Sequence, residues 1–228
     1  MKQLTLDIGL STGPTLDNFF AGPNLAALQH FQAWSANPSR SPVPTYLWGP
    51  DGSGKTHLLQ AVRHALACDC ARVGWLDAAN TEPAPFDEAW AAILLDDVHL
   101  YTAAQQHTAF IWFVQATAPA SGQPRPVVAA GQLPPADLRL REDLRTRLSW
   151  GHIFQLQVLS ESQQRAVLRQ AADARGIFLR DELMDYLLVR FSRDLGHLTQ
   201  LLDKLVRFAA QAKRPLSIPL VRAMLEDE

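Results

Sequence analysis

Gly49-Pro50-Asp51-Gly52-Ser53-Gly54-Lys55-Thr56 is the stretch whose reading decides the fold. It fills every fixed position of the pattern G-x-x-x-x-G-K-[ST]. A short apolar run from Thr45 to Trp48 precedes it, and a helical pattern from His57 to Ala67 follows. The loop therefore sits between a strand and a helix N-terminus. Glycines there let backbone N–H groups turn inward on phosphate oxygens, and the positive end of the helix dipole adds to the attraction. In such a loop Lys55 reaches the β- and γ-phosphates and the Thr56 hydroxyl ligates Mg²⁺. Gly49, Pro50, Gly52, Ser53, Gly54, Lys55 and Thr56 are the expected nucleotide-binding residues.

Outward from this loop, the spacing predicts further strands at Arg72–Leu76, Ala91–Leu95, Val127–Ala130 and His152–Val158. The run at Ala91 is continuous enough to be buried on both faces. Helical spacing covers Asn24–Trp34 and Ala103–Thr117. Strands alternating with helices predict an α/β fold with a parallel sheet flanked by helices. After Ser160 no strand pattern remains. Ser160-Glu161-Ser162-Gln163 reads as a capping box, and helical patterns follow at about 161–175, 181–190, 194–212 and 219–225. The expected organisation is an extended tail over 1–14, an α/β nucleotide-binding domain over 15–159 and a small helical lid domain over 160–228.

Two further segments point to phosphate chemistry. Ile93-Leu94-Leu95-Asp96-Asp97 is an apolar strand ending in two carboxylates. A Mg²⁺–nucleotide site needs a carboxylate at that place: Asp96 to hold the metal's water shell, Asp97 to orient or deprotonate an attacking water. Arg139-Leu-Arg-Glu-Asp-Leu-Arg-Thr-Arg147 gathers four arginines before the fifth strand. Alone it reads as a solvated basic face. Beside a P-loop, one such arginine can enter a neighbouring subunit and stabilise the transferring phosphoryl charge.

Composition narrows the classes. A net charge of −2 and a pI of about 6.4 give no global basic field for nucleic acid. No apolar run is long enough for a membrane span and no signal-peptide pattern opens the chain, so the expectation is a soluble cytoplasmic protein. Cys68 and Cys70 are too close in sequence for an ordinary disulfide and supply half a zinc site at most. His64, His99, His107, His152 and His197 read as surface or boundary residues without a ligand partner at useful spacing, and the six tryptophans as packing residues.

In this order the segments resemble the DnaA-like AAA+ family, and within it the short Hda branch of regulatory inactivators of DnaA. Thr15-Leu16-Asp17-Asn18-Phe19 resembles the entry motif beside the adenine, which adds Asp17 and Asn18 to the implied cofactor contacts. Asp96-Asp97-Val98-His99 resembles the Walker B segment. Asp143-Leu-Arg-Thr-Arg147-Leu-Ser-Trp-Gly151 resembles the segment carrying the arginine finger, with Arg147 as the finger acting in trans and Arg145 its neighbour. The chain stops soon after the lid, without a helix-turn-helix domain. Gln3-Leu4-Thr5-Leu6-Asp7-Ile8 resembles a peptide that docks on the replicative sliding clamp, Gln3 giving polar anchoring and Leu4, Leu6 and Ile8 apolar groups. The sequence departs from the family at Gly196, where the sensor 2 arginine is expected with Arg193 nearly one turn earlier, and at Ala130-Gly131-Gln132, where sensor 1 usually has an aspartate.

The resemblance implies bound ADP (or ATP) with Mg²⁺, ADP being the working state, and weak hydrolysis by the chain alone. It implies initiator DnaA and the DNA polymerase III sliding clamp (its β subunit) as partners, DNA reached mainly through the clamp, no membrane partner, and room for a homo-oligomer. The implied role is to stimulate ATP hydrolysis by DnaA and so prevent re-initiation. The alternative is a self-sufficient AAA+ ATPase such as a helicase loader, working through Lys55, Asp96 and Asp97.

Overall fold

A computed structural model describes residues 13–37, 39–120, 122–191, 195–212 and 214–226. The tail residues Gln3, Leu4, Leu6 and Ile8, and Arg193, lie outside the described residues. The chain divides into two compact units, one spanning 14–158 and the other carrying everything from Leu159 onward.

In the first unit the strands are β1 (Thr45–Trp48), β2 (Arg72–Leu76), β3 (Trp90–Leu95), β4 (Val127–Gly131) and β5 (His152–Gln155). They form one sheet in the order β2-β3-β4-β1-β5, every pair parallel. The helices are α1 (Leu25–Ala36), α2 (Lys55–Cys68), α3 (Ala103–Thr117) and α4 (Glu142–Leu148). Strand alternation divides the core in two. Leu47, Ala92, Leu94, Val128 and Ala130 face α1 and α2. Tyr46, Ile93, Leu95, Val127 and Ala129 face α3 and α4. Both faces are covered, which is why β3 and β4 read as unbroken apolar runs rather than alternating ones.

Two expectations need correcting. α4 is a helix inside the arginine cluster, where no helical spacing is legible. Its seven residues are mostly charged, and its N-cap Arg141 makes no side-chain capping bond; only Leu144 and Leu148, four apart and buried, anchor it. β5 ends at Gln155 rather than Val158, because the Gln157 backbone pairs with the Asn24 side chain instead.

The second unit is all helix: α5 (Glu161–Asp173), α6 (Asp181–Arg190), α7 (Leu195–Ala212) and α8 (Ile218–Glu226). The Ser160 capping box forms as read, with both reciprocal bonds present. Leu168, Leu183, Met184, Leu187, Leu202, Leu205, Leu220 and Val221 build its separate core, and Arg175 clamps Asp203 at 2.6 Å with both side chains largely buried. Among the described residues, no helix is long and apolar enough to cross a membrane.

Candidate functional site

The loop of residues 49–54 leaves the C-terminal end of β1. That strand pairs with β4 and β5, not with the next strand in sequence, so the loop opens where the strand order switches. Such switch points are where α/β sheets hold ligands. Gly49 N–H donates to Gly131 O at 3.3 Å, which ties the loop to the end of β4. A side chain at Gly49 would place Cβ 2.2 Å from the Leu156 carbonyl, a backbone atom that cannot step aside. Gly54 caps α2 at φ +95°, and a Cβ there would lie 2.8 Å from the Phe19 ring. The glycines are thus required by geometry: backbone fills the space a methyl would need.

Inside the loop, Lys55 is buried and its Nζ donates to Gly49 O (2.8 Å) and Pro50 O (3.0 Å). Burial pulls its pKa below the usual lysine value, against the opposing pull of Asp51, Asp97 and Asp96. Ser53 Oγ is buried with no hydrogen-bond partner in the protein. An orphaned hydroxyl inside a glycine cradle, next to a buried cation, suits an anionic oxygen-rich ligand.

The predicted metal-site residues do converge. Asp96 stands at the end of β3, its N–H held by Leu76 O at 2.8 Å. It is hydrogen-bonded to the Thr56 side chain. Burial pushes its carboxyl up to about 6; the Thr56 bond, the Asp97 N–H and Lys55 pull the other way, and the Asp97 charge adds to the rise. A carboxylate so lifted gains greatly from a cation at its oxygens. Asp97 follows in the left-handed region (φ 50°, ψ 43°), a conformation that costs a non-glycine residue about 1–3 kcal/mol and clusters at working sites. Thr56, Lys55, Asp96 and the loop glycines are therefore fit to hold a magnesium nucleotide, whose metal would neutralise phosphate charge. Among the described residues, no cluster of three or more His, Cys, Asp or Glu forms a separate metal site.

The entry segment packs against the loop and the start of α2. Thr15 and Asn18 close a turn on each other, N–H to Oδ1 at 2.9 Å and N–H to Oγ1 at 3.1 Å. Asp17 is exposed and lines an outer cavity of about 510 Å³ with Gln32, His64 and Cys68. The residue that touches the loop is Phe19, whose ring meets Gly54 and stands 5.3 Å from the His57 ring. The Thr15 carbonyl meets His57 Nε2 at 3.2 Å, and burial holds His57 below the usual histidine pKa. Asn24 was legible only as the start of a helix. Its buried amide bonds Gln157 O at 2.9 Å and Ser53 O at 3.5 Å and accepts Gln157 N–H at 2.8 Å, joining the entry segment, the P-loop and the strand beyond it. His64 also differs from its reading, since it has a thiol partner, Cys68 Sγ at 3.8 Å one turn on.

Arg147 lies elsewhere. Its carbonyl accepts Trp150 N–H at 3.0 Å, and the chain then turns at Gly151 against Pro44, the residue that leads into β1, with His152 N–H on Pro44 O at 2.9 Å. The P-loop leaves the opposite end of β1. The Arg147 guanidinium is 5.0 Å from the Trp150 ring centroid, 5.3 Å from Phe110 and 5.9 Å from Phe113, and among the described residues no carboxylate pairs with it. Arg141 contrasts: it grips Asp143 through two bonds of 2.7 and 2.8 Å and meets His107 Nδ1 at 2.9 Å. Gln132, where the resemblance leads one to expect sensor 1, is exposed just past β4.

Comparison with known proteins matches residues 161–225 to the family described as Hda, lid domain, and residues 10–81 to the bacterial DnaA ATPase domain. An uncharacterized protein of Haemophilus influenzae is 33% identical over 232 residues, covering 98% of either chain. Domain III of the Thermotoga maritima replication initiation protein DnaA superposes with a TM-score of 0.72 at 20% identity, covering 96% of this chain and 98% of that one. AMPPCP-bound DnaA from Aquifex aeolicus gives 0.65 at 19% identity, covering 89% and 74%.

Proposed function

Because the chain belongs to the DnaA-like AAA+ family and carries an Hda-type lid, we propose that it is a regulator which lends Arg147 to the ATP site of a DnaA-type partner. The observation that carries this reading is the placement of Arg147: held by aromatic rings, without a carboxylate partner among the described residues, on the far side of β1 from its own P-loop. An arginine so placed serves another subunit's nucleotide better than its own. Supplied in trans, such a group raises phosphoryl-transfer rates by about 10³–10⁵.

In this proposal the chain's own loop holds ADP with Mg²⁺ through the loop glycines, Lys55, Thr56 and Asp96, and the bound nucleotide fixes the first unit's shape. The sequence at Gln132 and Gly196 supports a poor hydrolytic engine, because neither offers the charge that reads a γ-phosphate. The Gln3–Ile8 segment docks the chain on the DNA-loaded sliding clamp, and hydrolysis by initiator DnaA leaves DnaA in its ADP form, limiting re-initiation. A clamp pull-down with wild type and Gln3→Ala tests the docking step: binding by the wild type and at least about tenfold weaker capture of the variant are expected, while equal capture would refute it.

One observation favours a second reading. Thr56, Asp96 and Lys55 converge as a hydrolytic site requires, so a self-sufficient ATPase such as a helicase loader keeps a structural basis. Turnover of the purified protein, with and without single-stranded DNA, separates the two: near-zero turnover fits the regulator, and sustained turnover fits the loader.

A further inference from the structure

A finger arginine has a conflict to solve. Its long side chain carries about 2 kcal/mol of rotamer entropy and must be aimed before the partner arrives, yet a carboxylate that aimed it would also neutralise it. Aromatic rings resolve the conflict, since the ring quadrupole attracts a guanidinium without supplying a counter-charge or consuming its five N–H donors. Resting on the proposed role of Arg147, we infer that Trp150 is its positioning residue: the indole face holds the guanidinium aimed and uncompensated.

Three observations support the assignment. Trp150 is 47% exposed, the one tryptophan that does not pack into a core, so it is not there for burial. Its ring lies nearer the Arg147 guanidinium than those of Phe110 or Phe113 do, and it meets Phe113 edge-on at 6.3 Å. Its backbone is fixed on both sides. Trp150 N–H bonds Arg147 O at 3.0 Å, and Gly151 (φ +79°) is wedged where a Cβ would lie 2.2 Å from Pro44 O. The Arg141 side chain, 5.1 Å from the Phe110 ring, is already committed to Asp143 and His107. Of the two arginines set against these rings, Arg147 is the one whose guanidinium is bonded to no carboxylate among the described residues.

The test measures hydrolysis by the partner ATPase at increasing concentrations of the full-length protein. Trp150→Ala is expected to lower the maximal stimulated rate about 10- to 100-fold, the size of effect that roughly ångström misplacement of a catalytic group produces. The concentration for half-maximal effect should stay within about twofold of wild type, and Trp150→Phe should restore most of the rate. Arg147→Ala should lose stimulation outright, and the double variant should be no worse than Arg147→Ala. If Arg147→Ala has no effect, the finger reading fails. If it abolishes stimulation while Trp150→Ala retains the full rate, or only raises the half-maximal concentration, the positioning role fails and the finger stands. NMR gives a readout independent of activity. Ring-current shielding of the Arg147 side-chain protons should be present in wild type and clearly reduced in Trp150→Leu, Phe110 and Phe113 keeping a remainder; unchanged shifts would overturn the proposal even if a variant were poorly active.

Discussion

The stability gap between wild type and Asp96→Asn should change with pH in a way that a merely structural residue would not produce. The carboxyl is lifted from 3.8 to about 6 chiefly by burial, so the folded protein binds a proton there that the unfolded chain has released. A group whose folded pKa is raised contributes stability at low pH, and that contribution is lost as pH climbs through the folded value. The lift corresponds to about 3 kcal/mol at 1.36 kcal/mol per pH unit. Wild type should therefore lose about 3 kcal/mol relative to Asp96→Asn between pH 2 and pH 8, roughly two-thirds of it between pH 4 and pH 6. Constant costs of the substitution, such as an amide N–H without a partner, cancel in that difference. For a unit of this size 1 kcal/mol moves Tm by roughly 2–4 °C, so the gap between the two melting curves should change by about 6–12 °C. Tryptophan fluorescence is a selective probe, because all six tryptophans lie between Trp34 and Trp150, within the first unit. A gap that does not vary with pH would refute the claim that nucleotide-free Asp96 is a strained buried carboxylate.

Other outcomes follow from the same geometry. Gly49→Ala should cost more stability than Gly54→Ala, because one methyl meets the Leu156 carbonyl and the other the yielding edge of the Phe19 ring; we expect more than about 3 kcal/mol against about 1–2 kcal/mol by thermal melting. Asn24→Ala should cost about 1–2 kcal/mol, since it removes the side-chain bonds to the part-buried Gln157 backbone and to Ser53 O, and should weaken ADP binding in calorimetry. His57 and His30 are both held below the ordinary histidine pKa of 6.5, His30 by burial and then by His152. Their stabilising effect is present above 6.5 and is lost as pH falls from there toward their folded values, so His30→Phe should flatten the acid side of the stability curve.

The site was unevenly legible, for physical reasons. The P-loop could be read because its chemistry fixes residue types at fixed spacing, and β3 because a strand buried on both faces has to be apolar. Asp96 and Thr56 could be named but not their hydrogen bond, which depends on strand order. Phe19, Asn24 and the left-handed Asp97 act across long sequence separations or through backbone conformation, and neither leaves a local pattern. Helix α4 escaped because two leucines in a run of charges give too little periodicity. Trp150 looked like another packing residue, as the remaining five tryptophans are; what sets it apart is its exposure, which depends on the fold.

The most direct measurement is the rate of ATP hydrolysis by initiator DnaA in the presence of this protein, DNA-loaded clamp and ADP, with wild type and Arg147→Ala run side by side. The account predicts stimulation by the wild type, at least about 100-fold less by the variant, and equal ADP affinity and melting temperature for both. Stimulation by Arg147→Ala equal to that of the wild type would contradict it.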